Sequence, residues 1–490
     1  MKKRKFSDIV KRRKVHKLLF SCILLVIITG YSACKKDERH TPTLLVSPTT
    51  LEFEAAGGTE EISIATNVVF TISDSSDWCS ASFASAEEYS TVLVTVQENT
   101  DSTSRSTVIF IDSEELSREV LVNQKGVEDT VPVFVYDIPP DDTDMRDISS
   151  IDLAQKMGVG WNVGNSLDAI DGETSWGNPL VSQRLIDSVK AAGFNSVRIP
   201  VAWSRFSDES SFIIDTDWLV RVEEVVNYVL GNDMYAIINI HWDGGWIQPT
   251  YEDEVYVTNR LSVMWKQIAT HFMDYDDHLL FAGTNEVMVE NDYSAPKVEY
   301  YTVQNGYNQT FVTTVRATGG RNAYRHLVVQ GFNTNIDYTV SFAVMPTDVT
   351  EDRLMMEVHY YDPYNFTINE NSSITQWGEI ATEPSSTETW ANESYADGQF
   401  QKMKTNFIDD GIPVILGEYG VISRTDVTDH ETYRVYYIEY ITQSLVDHGL
   451  VPFYWDNGYT GNHGLGIFDR STGEQVYPDI VEAITGAIDD

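Results

Sequence analysis

From about residue 145 onward, short runs of consecutive apolar residues alternate with longer stretches whose apolar positions recur every three or four residues. Continuous runs of strand length fit strands buried on both faces, and the longer stretches fit helices with one apolar stripe. The pattern therefore predicts parallel strands linked by helices. Strands are predicted over 158–163, 196–199, 235–240, 279–283, 326–330, 354–358, 414–416 and 451–454. Helices are predicted between them, for example over 185–192 and over 218–230, the second stopped by Gly231. Eight such units across 145–490 read as an α/β fold, most economically a closed (β/α)8 TIM barrel. A doubly wound open sheet is the other arrangement, and it would gather functional residues at one switch point.

Residues 45–126 have a different period. Apolar and polar residues alternate in short pieces at 51–53, 62–64, 70–72, 92–96, 108–111 and 120–122, with Gly57, Gly58, Asn67 and 99–106 between them. Six or seven half-buried strands at this spacing predict a small all-β, immunoglobulin-like antiparallel sandwich. Residues 127–144 contain Pro132, Pro139 and Pro140 and read as a linker, because proline withholds ladder hydrogen bonds.

The N-terminus reads as a targeting segment. Residues 1–33 hold nine Lys or Arg and one acid, and 18–30 is an apolar run ending at Tyr31-Ser-Ala-Cys34. Thirteen apolar residues are short for a membrane span and suit a signal-peptide core. Cys34 stands where a lipoprotein signal peptide would place its acylated cysteine, with 34–44 as a charged tether. The chain is then expected at the cell surface as an outer-membrane lipoprotein. A plain secretory peptide with an incidental cysteine is the alternative. Cys22 leaves with the signal and Cys79 is then alone, so no disulfide framework is expected. No cysteine or histidine spacing fits a zinc site, and neither a metal nor another cofactor is expected.

The charge narrows the partners. Beyond residue 33 there are 25 basic and 73 acidic residues, a net of −48, which repels phosphate backbones and argues against nucleic acid. Neutral polysaccharide is indifferent to that charge, and 26 Tyr with 11 Trp suit stacking on sugar rings. Nothing in the sequence addresses oligomeric state.

In a barrel of this kind the C-terminal strand ends build the site. Those positions carry Asn162 and Asn165, Arg198, His241, Asn285 with Glu286, Asn333, His359 with Tyr361, Glu418, and Trp455. Two carboxylates on opposite strand ends suit glycosidic hydrolysis, which needs a proton donor and a nucleophile or base. Trp176, Trp242, Trp246 and Trp377 fall on predicted loops and could line flanking subsites or simply pack there.

The runs Gly160-Trp-Asn-Val-Gly-Asn165, Glu173-Thr-Ser-Trp-Gly-Asn-Pro179, Val197-Arg-Ile-Pro200, Ile240-His241, Thr284-Asn-Glu286, His359-Tyr-Tyr361, Gly417-Glu418 and Tyr454-Trp455 resemble glycoside hydrolase family 5, most closely its subfamily 4. One departure is Val287, where many relatives have proline. The resemblance implies a retaining endo-β-1,4-glucanase with Glu286 as acid/base and Glu418 as nucleophile. It implies that Arg198 lowers the pKa of Glu418, Tyr361 orients it, and His359 holds Glu286, and all three are expected among the residues that contact substrate. It also implies that Asn285, His241 and Asn165 bind sugar hydroxyls over a Trp455 floor. Ser47-Pro48, Ser76-Asp-Trp78 and Asn123-Gln124-Lys-Gly126 resemble BACON domains, which implies either a carbohydrate-associated sandwich or a spacer. Together with Ile240-His-Trp-Asp-Gly-Gly-Trp246 and Val303-Gln-Asn-Gly-Tyr-Asn-Gln309, the chain is similar to cell-surface xyloglucanases of gut bacteria. Xyloglucan is the expected substrate. Mixed-linkage β-glucan, cellulose, mannan and xylan remain alternatives, and a non-catalytic surface glycan-binding protein is the remote one.

Overall fold

The computed structural model describes residues 42–74, 76–84, 89–101, 103–126 and 134–488. The expected signal peptide, Cys34 and most of the tether lie outside them. The chain divides into two compact units at Val133/Phe134.

The first unit is the sandwich, with two four-stranded sheets. One holds Leu44–Ser47, Gly58–Thr66, Tyr89–Val96 and Cys79–Phe83, and the other holds Thr50–Phe53, Ser117–Gln124, Arg105–Ser113 and Phe70–Asp74. Leu51, Phe53, Ile62, Ile64, Val92, Val94, Ile109, Ile111, Val120 and Val122 fill the space between them, as period-two patterning requires. Two expectations need correction. Leu44–Ser47 and Cys79–Phe83 are additional strands, the first a four-residue, mostly apolar run without alternation and the second built mostly of small residues. Thr50–Phe53 pairs parallel to Ser117–Gln124, so the sandwich is not wholly antiparallel. Cys79 is buried and unpaired.

The second unit is a closed parallel barrel of Gly160–Val163 (β1), Ser196–Ile199 (β2), Tyr235–Asn239 (β3), Leu279–Ala282 (β4), Leu327–Gln330 (β5), Leu354–Tyr360 (β6), Val414–Tyr419 (β7) and Val451–Asp456 (β8). The open-sheet alternative is thereby set aside. The helix Gln183–Ala191 starts two residues before the predicted 185–192 and ends one residue short of it, and Thr216–Leu230 is capped by Asp215 and ends at Gly231. Alternate strand residues face opposite sides. Trp161, Val197, Ile238, Phe281, Val329, Met356 and Leu416 pack outward under the helices. Ile237, Leu280, Val328, Met355, Ile415 and Phe453 fill the interior, closed from below by Leu153, Ala154 and Met157 of the helix Ser150–Met157.

The linker expected over 127–144 is shorter than that. Residues 134–144 belong to the barrel unit, where Ile138–Pro140 pairs with Gly319–Gly320. The prolines do not prevent this pairing, because the amides of Asp137 and Asp141 donate to the carbonyls of Ala317 and Gly320. Pro139 and Pro140 occupy positions that need no N–H. Residues 127–133 lie outside the described residues.

Candidate active site

Toward the C-terminal ends of five strands the inward positions are polar: Asn162, Arg198, Asn239, Gln330 and Glu357 are all buried. A buried guanidinium is tolerated only when fully partnered. Arg198 Nη1 donates to Asn162 Oδ1 and Glu418 Oε1, each at 3.0 Å, and Nη2 donates to Asn285 Oδ1 at 2.6 Å. Its Nε lies 2.9 Å from Glu357 Oε1, an ion pair without hydrogen-bond alignment. Arg198 thus lies beneath the site and does not reach the cleft wall, which corrects its expected contact with substrate.

Glu418 reaches this cluster through an irregularity in β7. Val358 faces Leu416 and His359 faces Glu418, so Gly417 is an extra residue in the ladder. Strict alternation would turn Glu418 outward like Leu416, and the bulge turns it inward instead. Only glycine fits at 417, since a Cβ there would stand 2.1 Å from Glu357 Oε1. Asn162 Nδ2 clamps the bulge by donating to the Gly417 carbonyl at 2.8 Å.

Above this layer opens a cleft of about 590 Å³. Of the expected site residues, Glu286, Glu418, Asn285, His241, Tyr361, Trp455 and Trp242 line it. Tyr361 donates its hydroxyl to Glu418 Oε2 at 3.2 Å. His241 stacks parallel to Trp455 with centroids 5.5 Å apart. Asn239 Oδ1 accepts from the Val201 amide, which fixes its side chain and turns Nδ2 toward His241 Nδ1 at 3.2 Å. Burial first, then Arg198 and His359, hold the His241 pKa well below the ordinary value. Neutral His241 therefore accepts at Nδ1 and carries its proton on Nε2, toward the cleft.

His359 Nδ1 lies 2.7 Å from Glu286 Oε1, and Nε2 lies 3.3 Å from Glu357 Oε1. Burial opposes charge on this imidazole, but Glu418, Glu286 and Glu357 outweigh it and raise its pKa to about 9. Burial also works against charge on Glu357, where Arg198 and His359 prevail and hold the pKa down to about 2. At Glu418 burial wins. It raises that carboxyl above the ordinary range against the pull of His359 and Arg198. Arg198 does lower the Glu418 pKa, as expected, but burial outweighs it.

One oxygen of Glu286, one of Glu418 and a nitrogen of His359 lie within 4.8 Å of one another.

Other expectations shift. Asn165 does not line the cleft. It adopts a positive φ of 55°, with its amide donating to Asp168 and its carbonyl accepting from Asn178. Trp176 is exposed but stands outside the cleft wall. Trp246 donates to Asp243 Oδ2 at 2.7 Å and lies under the Arg260 guanidinium. Trp377 is buried, donates to the Ala391 carbonyl and packs on Tyr437, so it belongs to the core of the loop layer. His359 and Asn333 line a neighbouring pocket instead.

Glu357, Gln330 and Asn239 escaped sequence reasoning. Gln330 accepts from the Thr284 amide and donates to Glu357 Oε2 at 2.7 Å, which ties the Asn285-Glu286 turn to Arg198 and Glu418. The available signal was a single acid inside the apolar run Leu354-Met-Met-Glu357-Val.

Residues 162–461 match the cellulase model of glycosyl hydrolase family 5, and 66–125 match the BACON model, described as a putative N-terminal binding domain. The chain is 39% identical to a xyloglucan-specific endo-beta-1,4-glucanase of Bacteroides ovatus, over 97% of each chain. It is also 39% identical to endoglucanase A of Paenibacillus barcinonensis, over 70% of this chain and 90% of that one. Among solved structures, a Bacteroides ovatus GH5 xyloglucanase in complex with a XXXG heptasaccharide aligns with a TM-score of 0.71 at 40% identity, covering 91% of this chain and all of that one. A GH5-4 broad-specificity endoglucanase from Bacteroides salanitronis aligns at 0.67 and 40% identity, over 70% of this chain and 96% of that one. A family model spanning most of the barrel, with a relative matched almost end to end, places this chain in glycoside hydrolase family 5.

Proposed function

We propose that this protein is a retaining endo-β-1,4-glucanase acting on xyloglucan, with Glu418 as nucleophile and Glu286 as acid/base. The observation that carries the reading is the approach of the two carboxylates to within 4.8 Å. Retaining glycosidases hold the pair about 5 Å apart, whereas inverting enzymes leave room for a water between them.

The buried charges explain how both steps proceed. Three carboxylates (Glu286, Glu357, Glu418) face two cations (Arg198 and protonated His359), so the cluster is neutral when one carboxyl holds a proton. Burial favours that neutral state. In the productive form that proton is on Glu286 and Glu418 is ionised; since His359 donates to Glu286 Oε1, the acid proton is left to Oε2. In the first step Glu418 attacks the anomeric carbon while Glu286 Oε2 gives its proton to the departing oxygen. Glu418 becomes an uncharged ester and Glu286 a carboxylate, so two carboxylates again face two cations. In the second step Glu286 takes a proton from water, water cleaves the ester, and the starting charges return. The amide of Asn285, its Oδ1 already held by Arg198, is left to donate toward the sugar, and Trp455 with Trp242 offers stacking faces.

The choice of xyloglucan rests on the Bacteroides ovatus relatives. The broad-specificity relative of equal identity favours a second reading, a general endoglucanase. Reducing-end release by residues 35–490 on xyloglucan and barley β-glucan separates the two. A rate at least about tenfold higher on xyloglucan, about 1.4 kcal/mol of transition-state preference, is expected. Equal or reversed rates would establish the general enzyme.

His359 is the strongest influence holding the Glu418 pKa down. Replacing His359 with Asn removes that cation, so Glu418 ionises at higher pH. The acid limb of the kcat/KM profile should therefore move up, and an unmoved limb would contradict this electrostatic account.

The sequence around Cys34 supports a lipid anchor that holds the enzyme at the outer membrane. Cys34→Ala should release the protein from the membrane fraction; retention there would exclude the anchor.

A further inference from the structure

On the other flank of Glu286 a second pocket, of about 210 Å³, opens between the ends of β5 and β6. Its wall includes Asn333 and Asp337 after β5, Asp362 after β6, and Tyr395 and Gln399 from the helix Glu393–Asn406. Gln399 Nε2 donates to the Tyr395 hydroxyl at 2.7 Å and to Asp337 Oδ2 at 3.2 Å. Tyr360 also lines the pocket. It is 2% exposed, and its hydroxyl has no hydrogen-bond partner among the described residues. Beside the pocket Trp390 is 45% exposed and meets Tyr395 edge-on, with centroids 5.5 Å apart.

Barrel order places this pocket relative to the reaction. His241, Glu286, Glu418 and Trp455 stand at the ends of β3, β4, β7 and β8 and surround the position of the sugar under attack. The pocket lies in the β5–β6 sector, next to Glu286 at the end of β4, and Glu286 belongs to both walls. The group that donates a proton to the departing oxygen faces the portion that departs. Carboxylates, amides and a buried phenol with an exposed indole nearby suit a neutral ligand rich in hydroxyls, and Lys402, 2.5 Å from Asp337 Oδ1, with His359 in the wall offsets the acids. The volume holds a single ring, while the adjoining cleft is nearly three times larger. A backbone running through the larger cleft leaves the side pocket to a ring that leaves the chain.

We propose that the pocket formed by Asn333, Asp337, Asp362, Tyr395 and Gln399 binds a branch sugar on the departing portion of the polysaccharide. It is a specificity pocket for branching, separate from the two carboxylates that cut the backbone. The inference rests on Glu286 as proton donor and on a branched substrate.

Gln399→Ala and Trp390→Ala test it, each assayed for kcat/KM on xyloglucan and on unbranched mixed-linkage β-glucan. Expected is a fall of about tenfold or more on xyloglucan with less than a twofold change on the unbranched glucan. The unbranched rate also reports that each variant is folded. Equal losses on both substrates, or no loss on either, would overturn the branch pocket. A wild-type enzyme that showed no preference for xyloglucan would count instead against the substrate reading above, so the two failures are distinguishable.

Discussion

Glu418→Ala should cut kcat/KM on the polysaccharide by more than about a hundredfold, at least about 2.7 kcal/mol of transition-state stabilisation. Covalent chemistry has no other candidate at this position: Glu357 lies beneath the cleft, fully paired to Arg198, Gln330 and His359. The loss should not come from unfolding. Arg198 keeps Glu357, Asn162 and Asn285 when Glu418 is gone. Burial also raises the Glu418 pKa from 4.5 to about 7, which means the folded state binds this proton more tightly than the unfolded chain. By linkage, stability is lost as pH climbs from the unfolded value through the folded one. At pH 8, therefore, Glu418→Gln should melt no lower than the wild type while remaining inactive. A variant retaining more than a hundredth of the activity, or one inactive only because it fails to fold, would contradict the assignment.

Glu286→Ala should fail differently. On polysaccharide, whose leaving alcohol needs a proton, the rate should fall about 10²- to 10³-fold. On an aryl glycoside with an acidic phenol the first step needs little help, so the ester on Glu418 still forms and accumulates. Added azide then attacks that ester without a general base, restoring turnover and giving a β-glycosyl azide. An α-glycosyl azide, or rescue of Glu418→Ala with the same product, would reverse the two roles. This variant also removes one carboxylate from a neutral cluster that held one carboxyl proton. The remaining Glu357 and Glu418 balance Arg198 and His359 without that proton, so the acid limb of the aryl-glycoside reaction should lie no higher than in the wild type.

The barrel was legible because its strands are buried on both faces and read as continuous apolar runs. Strands β6, β7 and β8 nonetheless run two or three residues beyond their predicted ends. His359 and Glu418 look like loop residues by polarity, yet they sit on the strands, as Trp455 does, which is why the site is rigidly held. The bulge at Gly417 had no period to reveal it, and its glycine explains itself only once Glu357 is seen 2.1 Å from the missing Cβ. Glu357 was passed over because one acid in an apolar strand matters only when its partners are known. Those partners come from β2 and β5, far away in sequence. Trp377 shows the opposite error: an aromatic on a long loop was open to a place in the cleft, but the loop layer has its own core. Residues 134–144 carried the composition of a linker and still pair with the barrel, because pairing depends on which amides are needed and not on how many prolines are present.

The measurement closest to the central claim uses a 2-deoxy-2-fluoro β-glucan oligosaccharide with a good leaving group. The fluorine slows both steps and the leaving group rescues the first, so the ester should accumulate. Mass spectrometry of the digested protein should find one glycosyl unit on the peptide containing Glu418. A label on Glu286, or hydrolysis proceeding with no labelled peptide and with the α-anomer formed first, would contradict double displacement at Glu418.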